Sequence, residues 1–323
     1  MRNIESSRNY MKYMKRAMPV AAIIVFLIAF MFVLDNYMVI KVDESTSIQF
    51  IRIKDGMKLT LGPGGINEIE SIESFELYDN LMMQVLDHAE DQLITASDWI
   101  GPMIIHALDN TNGNVEEMFT GGWHGSNGDH TGNPTAKSIR MTLLVAENPI
   151  HKKGYFLAKQ LTLEVTNQIM AYNTDERYVI EEKVTYTINP DKKIDISVEL
   201  IAMENVRIDQ YYGMQLILPD KFNIISYLRN GDLLHQFNHL ENPYNASYTP
   251  VDEIIIEDIA SEHRILASIN LESDINNFAH KAEEHPYAFT TDDRKSYFNL
   301  VNGKPLYLKK GEKFQWNGRY RFE

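Results

Sequence analysis

The sequence predicts a mainly β protein. It reads as a large antiparallel β-sandwich ectodomain, supersandwich-like, preceded by one N-terminal transmembrane helix. Three observations predict it. An uninterrupted apolar run fills residues 17–34. Beyond residue 40, apolar side chains recur at every second position, the period of a half-buried strand. Turn-forming residues separate these stretches at short intervals, as in all-β folds.

The apolar run has 18 residues with no charge and no hydroxyl. At about 1.5 Å per residue it reaches roughly 27 Å as a helix, the thickness of a bilayer core. Pro19 falls in its first turn, where a missing amide proton matters least. Arg2, Arg8, Lys12, Lys15 and Arg16 precede it against one acid, Glu5, a net of +4. Asp35, Asp43 and Glu44 follow it. Positive charge stays inside, so residues 1–16 read as a cytosolic tail, 17–34 as the anchor, 35–46 as a short stalk and 47–323 as the extracytoplasmic domain. A cleaved signal peptide would carry a shorter apolar stretch ending in small residues, whereas this run ends in Phe30, Met31, Phe32, Val33 and Leu34.

The whole chain of 323 residues has a formal charge of −14, so the part after residue 34 carries −18. That balance excludes the basic footprint of a nucleic-acid binder, and it repels anionic polymers unless a cation bridges them. With no cysteine, disulfides, thiolate nucleophiles and thiolate metal sites are excluded.

Within the exported part, Leu161, Leu163 and Val165 alternate with Thr162, Glu164 and Thr166. Val184, Tyr186 and Ile188 alternate with threonines, and Ile194, Ile196, Val198 and Leu200 with Asp195, Ser197 and Glu199. Asn189-Pro190-Asp191-Lys192 joins the last two runs at hairpin length. Further strands are expected at 47–53, 58–61, 103–107, 139–145, 214–218 and 254–256. Residues 252–259 are ambiguous, and 275–284 read as a polar helix or a loop.

The most unusual segment is 120–134, Thr-Gly-Gly-Trp-His-Gly-Ser-Asn-Gly-Asp-His-Thr-Gly-Asn-Pro, which holds five of the 17 glycines. Glycine allows a tight path around a ligand. Trp123 suits stacking on a sugar ring, His124 suits proton transfer near neutral pH, and Asn127, Asp129 and His130 supply polar contacts. The oxygens of Asp129 and Asn127 also suit Ca2+, the one cofactor this loop suggests. A long turn with a packing tryptophan is the alternative reading. Upstream, Asp98, Trp99 and His106 flank a Gly101-Pro102 turn and would converge on the same loop. His235-x-x-x-His239 has the spacing of two imidazoles on one helical face, but Gln236 stands where a catalytic glutamate would, and between Asn230-Gly231 and Pro243 a surface loop is the preferred reading. Tyr211 and Tyr212 offer two further aromatic platforms.

The C-terminus reads Lys295-Ser-Tyr-Phe-Asn-Leu, then Leu306-Tyr-Leu-Lys-Lys-Gly-Glu, then Trp316-Asn-Gly-Arg-Tyr-Arg-Phe. It resembles the closing strands of galactose-mutarotase-like sandwiches, a module shared with polysaccharide lyases. The runs around Val184 and Asp191 to Leu200 are similar to the paired central strands of that superfamily. The resemblance implies the sandwich and a sugar-facing role. In mutarotases two histidines and a glutamate surround the sugar, and His124 would match the first histidine. Tyr211-Tyr212-Gly213 stands where an Asn-His-aromatic motif is expected, and no glutamate is placed by motif.

The sequence therefore leads to a membrane-anchored extracytoplasmic protein that binds or processes an envelope or extracellular polysaccharide. A catalytic version, as lyase, hydrolase or epimerase, would use His124 as acid or base with Asp129 or Asp98 orienting it. Trp123, Asn127, His130, Tyr211 and Tyr212 would hold the substrate. The alternative is a non-catalytic adhesion or assembly module that contacts a protein partner.

Overall fold

The computed structural model describes residues 38–42, 47–51, 56–78, 82, 91–93, 100–109, 111–113, 115–260, 263–271 and 278–323. They form 21 strands, numbered here in chain order, in three antiparallel sheets. Among them no helix is long and apolar enough to cross a membrane, and the run at 17–34 lies outside them.

The largest sheet has ten strands. Their order is β15 (Asp232–Asn238), β14 (Ile224–Arg229), β17 (Glu253–Glu257), β18 (Arg264–Asn270), β21 (Lys313–Phe322), β12 (Lys193–Ala202), β11 (Tyr178–Ile188), β10 (Leu161–Met170), β7 (Ala136–Val145) and β8 (Asn148–Pro149). The alternating runs of the sequence sit at its centre, and their apolar members all face inward. Leu163, Val165, Val184, Tyr186, Ile196, Val198, Trp316 and Tyr320 are buried, while Thr185, Ser197 and Asn317 face away from the core. The hairpin expected at 189–192 joins β11 to β12, with Lys192 in the left-handed region and Asn189 N–H bonded to Lys193 O at 2.9 Å.

Two smaller sheets cover this inner face. The five-stranded one runs β16 (Asn245–Ser247), β19 (Ala288–Thr290), β20 (Lys295–Leu308), β13 (Val206–Ile217) and β6 (Met103–Ala107). The six-stranded one runs β5 (Asp91–Leu93), β4 (Ile69–Tyr78), β3 (Gly56–Gly64), β2 (Ser47–Ile51), β1 (Met38–Val42) and β9 (Gly154–Ala158). Side chains of all three sheets form one core. Tyr320 donates its hydroxyl to Gln215 O at 2.6 Å, and Phe75 stacks on Phe322 with centroids 3.9 Å apart. A Cβ on Gly318 would come within 2.1 Å of Met214 Sδ, so a glycine is what lets β13 lie against β21.

The structure corrects several expectations. Residues 38–42, assigned to a stalk, form β1, which pairs with both β2 and β9; five residues are too few for alternation to stand out. Residues 209–215, which include Tyr211 and Tyr212, lie inside β13, which bulges there. The ambiguous 252–259 contains the strand β17. Residues 278–284 form turns and a bridge, not a helix. His235 lies in β15 and is exposed, and His239 follows that strand, buried, with Nε2 donating to Thr291 O at 3.0 Å. The pair therefore does not share a helical face.

Candidate functional site

The glycine-histidine loop is tied to the body at both ends. Thr120 and Met103 exchange backbone hydrogen bonds of 2.8 and 3.0 Å, which extends β6 into the loop. Asn67, buried in the β3–β4 turn, clamps the middle. Its amide donates to Gly122 O at 2.7 Å and His124 O at 3.0 Å. Its carbonyl accepts from Thr135 N–H at 2.7 Å and Ala136 N–H at 3.0 Å. Gly121, Gly122, Gly128 and Gly132 all have positive φ, so the path that brings these partners together needs residues without a Cβ.

Inside this frame the polar side chains divide. Asn127 donates to Thr131 Oγ1 at 3.0 Å, and Asp129 accepts from both the amide and the hydroxyl of Thr131 at 2.7 and 2.5 Å. These bonds hold the Asp129 carboxyl below its ordinary pKa. Both side chains thus shape the loop tip, and His130 is exposed beside them. The carbonyl of Gly128 lies 2.7 Å from His124 Nδ1 and orients the ring, with the Asp129 charge nearby. A carbonyl only accepts, so Nδ1 carries the proton and Nε2 is the basic nitrogen. Burial lowers the His124 pKa, opposed by the Gly128 bond and aided by the nearby Lys295 charge. The imidazole is therefore neutral at pH 7. Among the described residues no three His, Asp or Glu side chains are grouped to hold a metal ion.

His124 leads to a set of aromatic rings on the outer face of the five-stranded sheet. Its ring lies 5.4 Å from Phe119, and Phe119 lies 5.3 Å from Tyr212. Tyr212 lies 5.1 Å from Tyr297 and 5.3 Å from Phe289, and those two stack at 5.0 Å. These are the spacings of rings in mutual contact. Burial pushes the Tyr212 hydroxyl up to about 12, and Gln210 donates to it. Further along β13, Arg207 pairs with Asp209 at 2.8 Å and with Glu117 at 3.6 Å. His106 Nδ1 meets the hydroxyl of Tyr172 at 2.8 Å. His106 thus belongs to the charged end of this face.

A β-bulge decides which tyrosine faces out. Arg207 and Asp209 point outward while Val206 and Ile208 are buried. The register shifts between Ile208 and Gln210, so Gln210 and Tyr212 point outward and Tyr211 inward. Tyr211 is fully buried and accepts a hydrogen bond from Trp316 Nε1, so it is no platform. Trp123 is half-buried, with its indole against the Gly64-Gly65 turn, where a Cβ on Gly65 would come within 2.6 Å of its Cγ. It covers a cavity of about 30 Å3 that is also lined by Glu70, Asn167, Glu182 and Tyr186. Asp98 lies outside the described residues. Phe119, Phe289, Lys295 and Tyr297 were not legible as site residues, because folding and not sequence proximity brings them beside Tyr212 and His124.

No family model matches the sequence, and no curated protein matches it. Among solved structures it is similar to the alpha-galactosidase from Lactobacillus brevis, at 10% identity, TM-score 0.44, covering 88% of this chain and 40% of that one. It is similar to the GH36 alpha-galactosidase from Geobacillus stearothermophilus, at 11% identity, TM-score 0.38, covering 88% and 41%. It is also similar to the galactose 1-epimerase from Lactobacillus acidophilus, at 8% identity, TM-score 0.37, covering 89% and 98%. Galactose-mutarotase-like proteins are thus among its structural neighbours. The chain spans about two fifths of the length of the galactosidases. These likenesses concern the fold; function has to be argued from the residues.

Proposed function

We propose that this chain is a membrane-anchored, exported protein that binds a carbohydrate polymer along the outer face of its five-stranded sheet. The observation that carries the reading is the set of half-buried rings Phe119, Tyr212 and Tyr297, backed by the buried ring of Phe289, with His124 at one end. Pyranose rings present C–H faces that stack on such aromatics, and their hydroxyls need donors and acceptors beside the stack. Gln210, Lys295 and the Arg207–Asp209 pair supply them on the same face. The surplus of acids repels anionic chains, so a neutral or amino-bearing glycan fits best.

The polar concavity of about 380 Å3 on the opposite side of the ten-stranded sheet competes less well. Thr185, Asp195, Ser197, Asn270, Asn317 and Arg319 line it, with no aromatic ring among its lining residues. The test is to incubate the full chain in detergent micelles with a panel of envelope and extracellular glycans. Binding and the release of reducing or unsaturated ends are both followed. Retention of a neutral glycan supports the reading, and retention of none contradicts it. If turnover accompanies binding, His124 is the residue to replace, because its ring borders Phe119 at the end of this face.

A further inference from the structure

The strand β9 is the outer edge of the six-stranded sheet, and it carries two large side chains facing away from the core. Tyr155 is 70% exposed and Leu157 57% exposed, while Phe156 between them packs against the core. Isolated exposed apolar residues are ordinary, but these two have a particular setting. The segment 151–159 reads His-Lys-Lys-Gly-Tyr-Phe-Leu-Ala-Lys, with three lysines and no acid, in a part of the chain that carries −18 overall. Lys41 of β1 stands opposite Tyr155, and Val39 opposite Leu157.

Position supplies the partner. β1 begins at Met38, four residues after the apolar run ends at Leu34. Four residues of extended chain span at most about 14 Å. The headgroup layer on each side of a bilayer is roughly 5–8 Å deep. An anchor at 17–34 therefore keeps the start of β1 within reach of the headgroups. β9 lies beside β1 at the usual strand spacing of about 4.8 Å. Tyrosine and leucine flanked by lysines are the composition of a surface resting on lipid, where the ring enters the interface and the ammonium groups meet phosphates. A second copy of this chain is disfavoured on the same edge, because pairing two such edges would set lysines against lysines.

We infer that β9 is a second membrane contact, in which Tyr155 and Leu157 sit in the headgroup layer and Lys152, Lys153 and Lys159 meet anionic lipid. This rests on the anchor proposed above. It would hold the body in one orientation on the membrane.

The absence of cysteine makes the test direct. Single-cysteine full chains, Leu157→Cys and the control Tyr307→Cys, are labelled with an environment-sensitive fluorophore and reconstituted into vesicles. The vesicles are phosphatidylcholine alone or mixed with phosphatidylglycerol, with and without brominated lipid. The label at 157 is expected to emit further to the blue than the label at 307 and to be quenched severalfold more by brominated lipid. Replacing Lys152, Lys153 and Lys159 by glutamine should reduce that difference in the mixed vesicles. Equal quenching at 157 and 307 overturns the proposal. Shielding of 157 from aqueous iodide without quenching by lipid also overturns it, since a protein surface then covers the strand. Alkaline extraction separates the two failures. A chain that stays in the vesicles while 157 remains wet refutes the β9 contact alone, and a chain that washes off refutes the anchor and the contact with it.

Discussion

The Trp316 indole donates its N–H to the Tyr211 hydroxyl at 2.9 Å, with both side chains fully buried between the five-stranded and ten-stranded sheets. The bond spans 105 residues of sequence and joins β13 to β21. Tyr211→Phe removes the acceptor and leaves a buried donor unsatisfied, which typically costs about 1–3 kcal/mol. The expected result is a lower midpoint in urea with an unchanged slope. Glycan retention should be unaffected, because Tyr211 faces away from the aromatic site.

A second buried polar group makes stability depend on pH. Glu182 is 4% exposed, and burial raises its pKa to about 7 despite a bond from Asn167 at 2.9 Å. A carboxyl whose folded pKa lies above its unfolded value stabilises the fold fully below about 4.5, and that contribution is lost as pH rises through about 7. The loss amounts to roughly 3 kcal/mol. Glu182→Gln should therefore raise the melting temperature at pH 8 and flatten the fall between pH 5 and 8. His124 acts in the opposite sense. Its lowered pKa means stability is lost as pH falls through the folded value. Melting curves from pH 4 to 9 for wild type and both variants, Glu182→Gln and His124→Ala, check the two signs. A fall in melting temperature between pH 5 and 7 that Glu182→Gln leaves unchanged would refute the assignment.

Asn67 holds the loop without touching the aromatic rings, through four bonds to residues 122, 124, 135 and 136. Asn67→Ala removes a bond from each of these backbone groups, of which His124 O keeps the Thr135 hydroxyl. A destabilisation of roughly 2–4 kcal/mol is expected. Amide exchange in residues 120–135 should accelerate at least about tenfold while β10, β11 and β12 remain protected. Uniform exchange throughout the chain would show that Asn67 supports the whole fold instead.

Much of the fold is legible because its central strands alternate cleanly. β10, β11 and β12 are buried on one face and polar on the other, and the Asn189-Pro190-Asp191-Lys192 turn announces their hairpin. The turn between β20 and β21 is legible too, with Gly311 at positive φ following Lys309-Lys310. The site is only half legible. The glycines marked the loop, and His124 does reach the outer face. The roles of Asp129 and Asn127 could not be read, because short polar side chains bond their own loop as readily as a ligand. Tyr211 and Tyr212 were indistinguishable in the sequence. Adjacent strand residues face opposite sides, and the bulge that sets which one faces out leaves no mark in composition.

The central claim is that Tyr212 and its neighbouring rings hold a sugar polymer. Affinity electrophoresis or calorimetry of the full chain with the glycan it retains best tests this most directly, comparing wild type with Tyr212→Ala and with Tyr155→Ala. Tyr155 is exposed away from this face, on β9 of the six-stranded sheet. Loss of a stacked ring weakens binding by about 1–2 kcal/mol, or roughly tenfold. The account predicts that loss for Tyr212→Ala alone, with both variants folded at 25 °C although Tyr212→Ala, which removes a packed ring, melts lower. Equal affinity for all three proteins would contradict it.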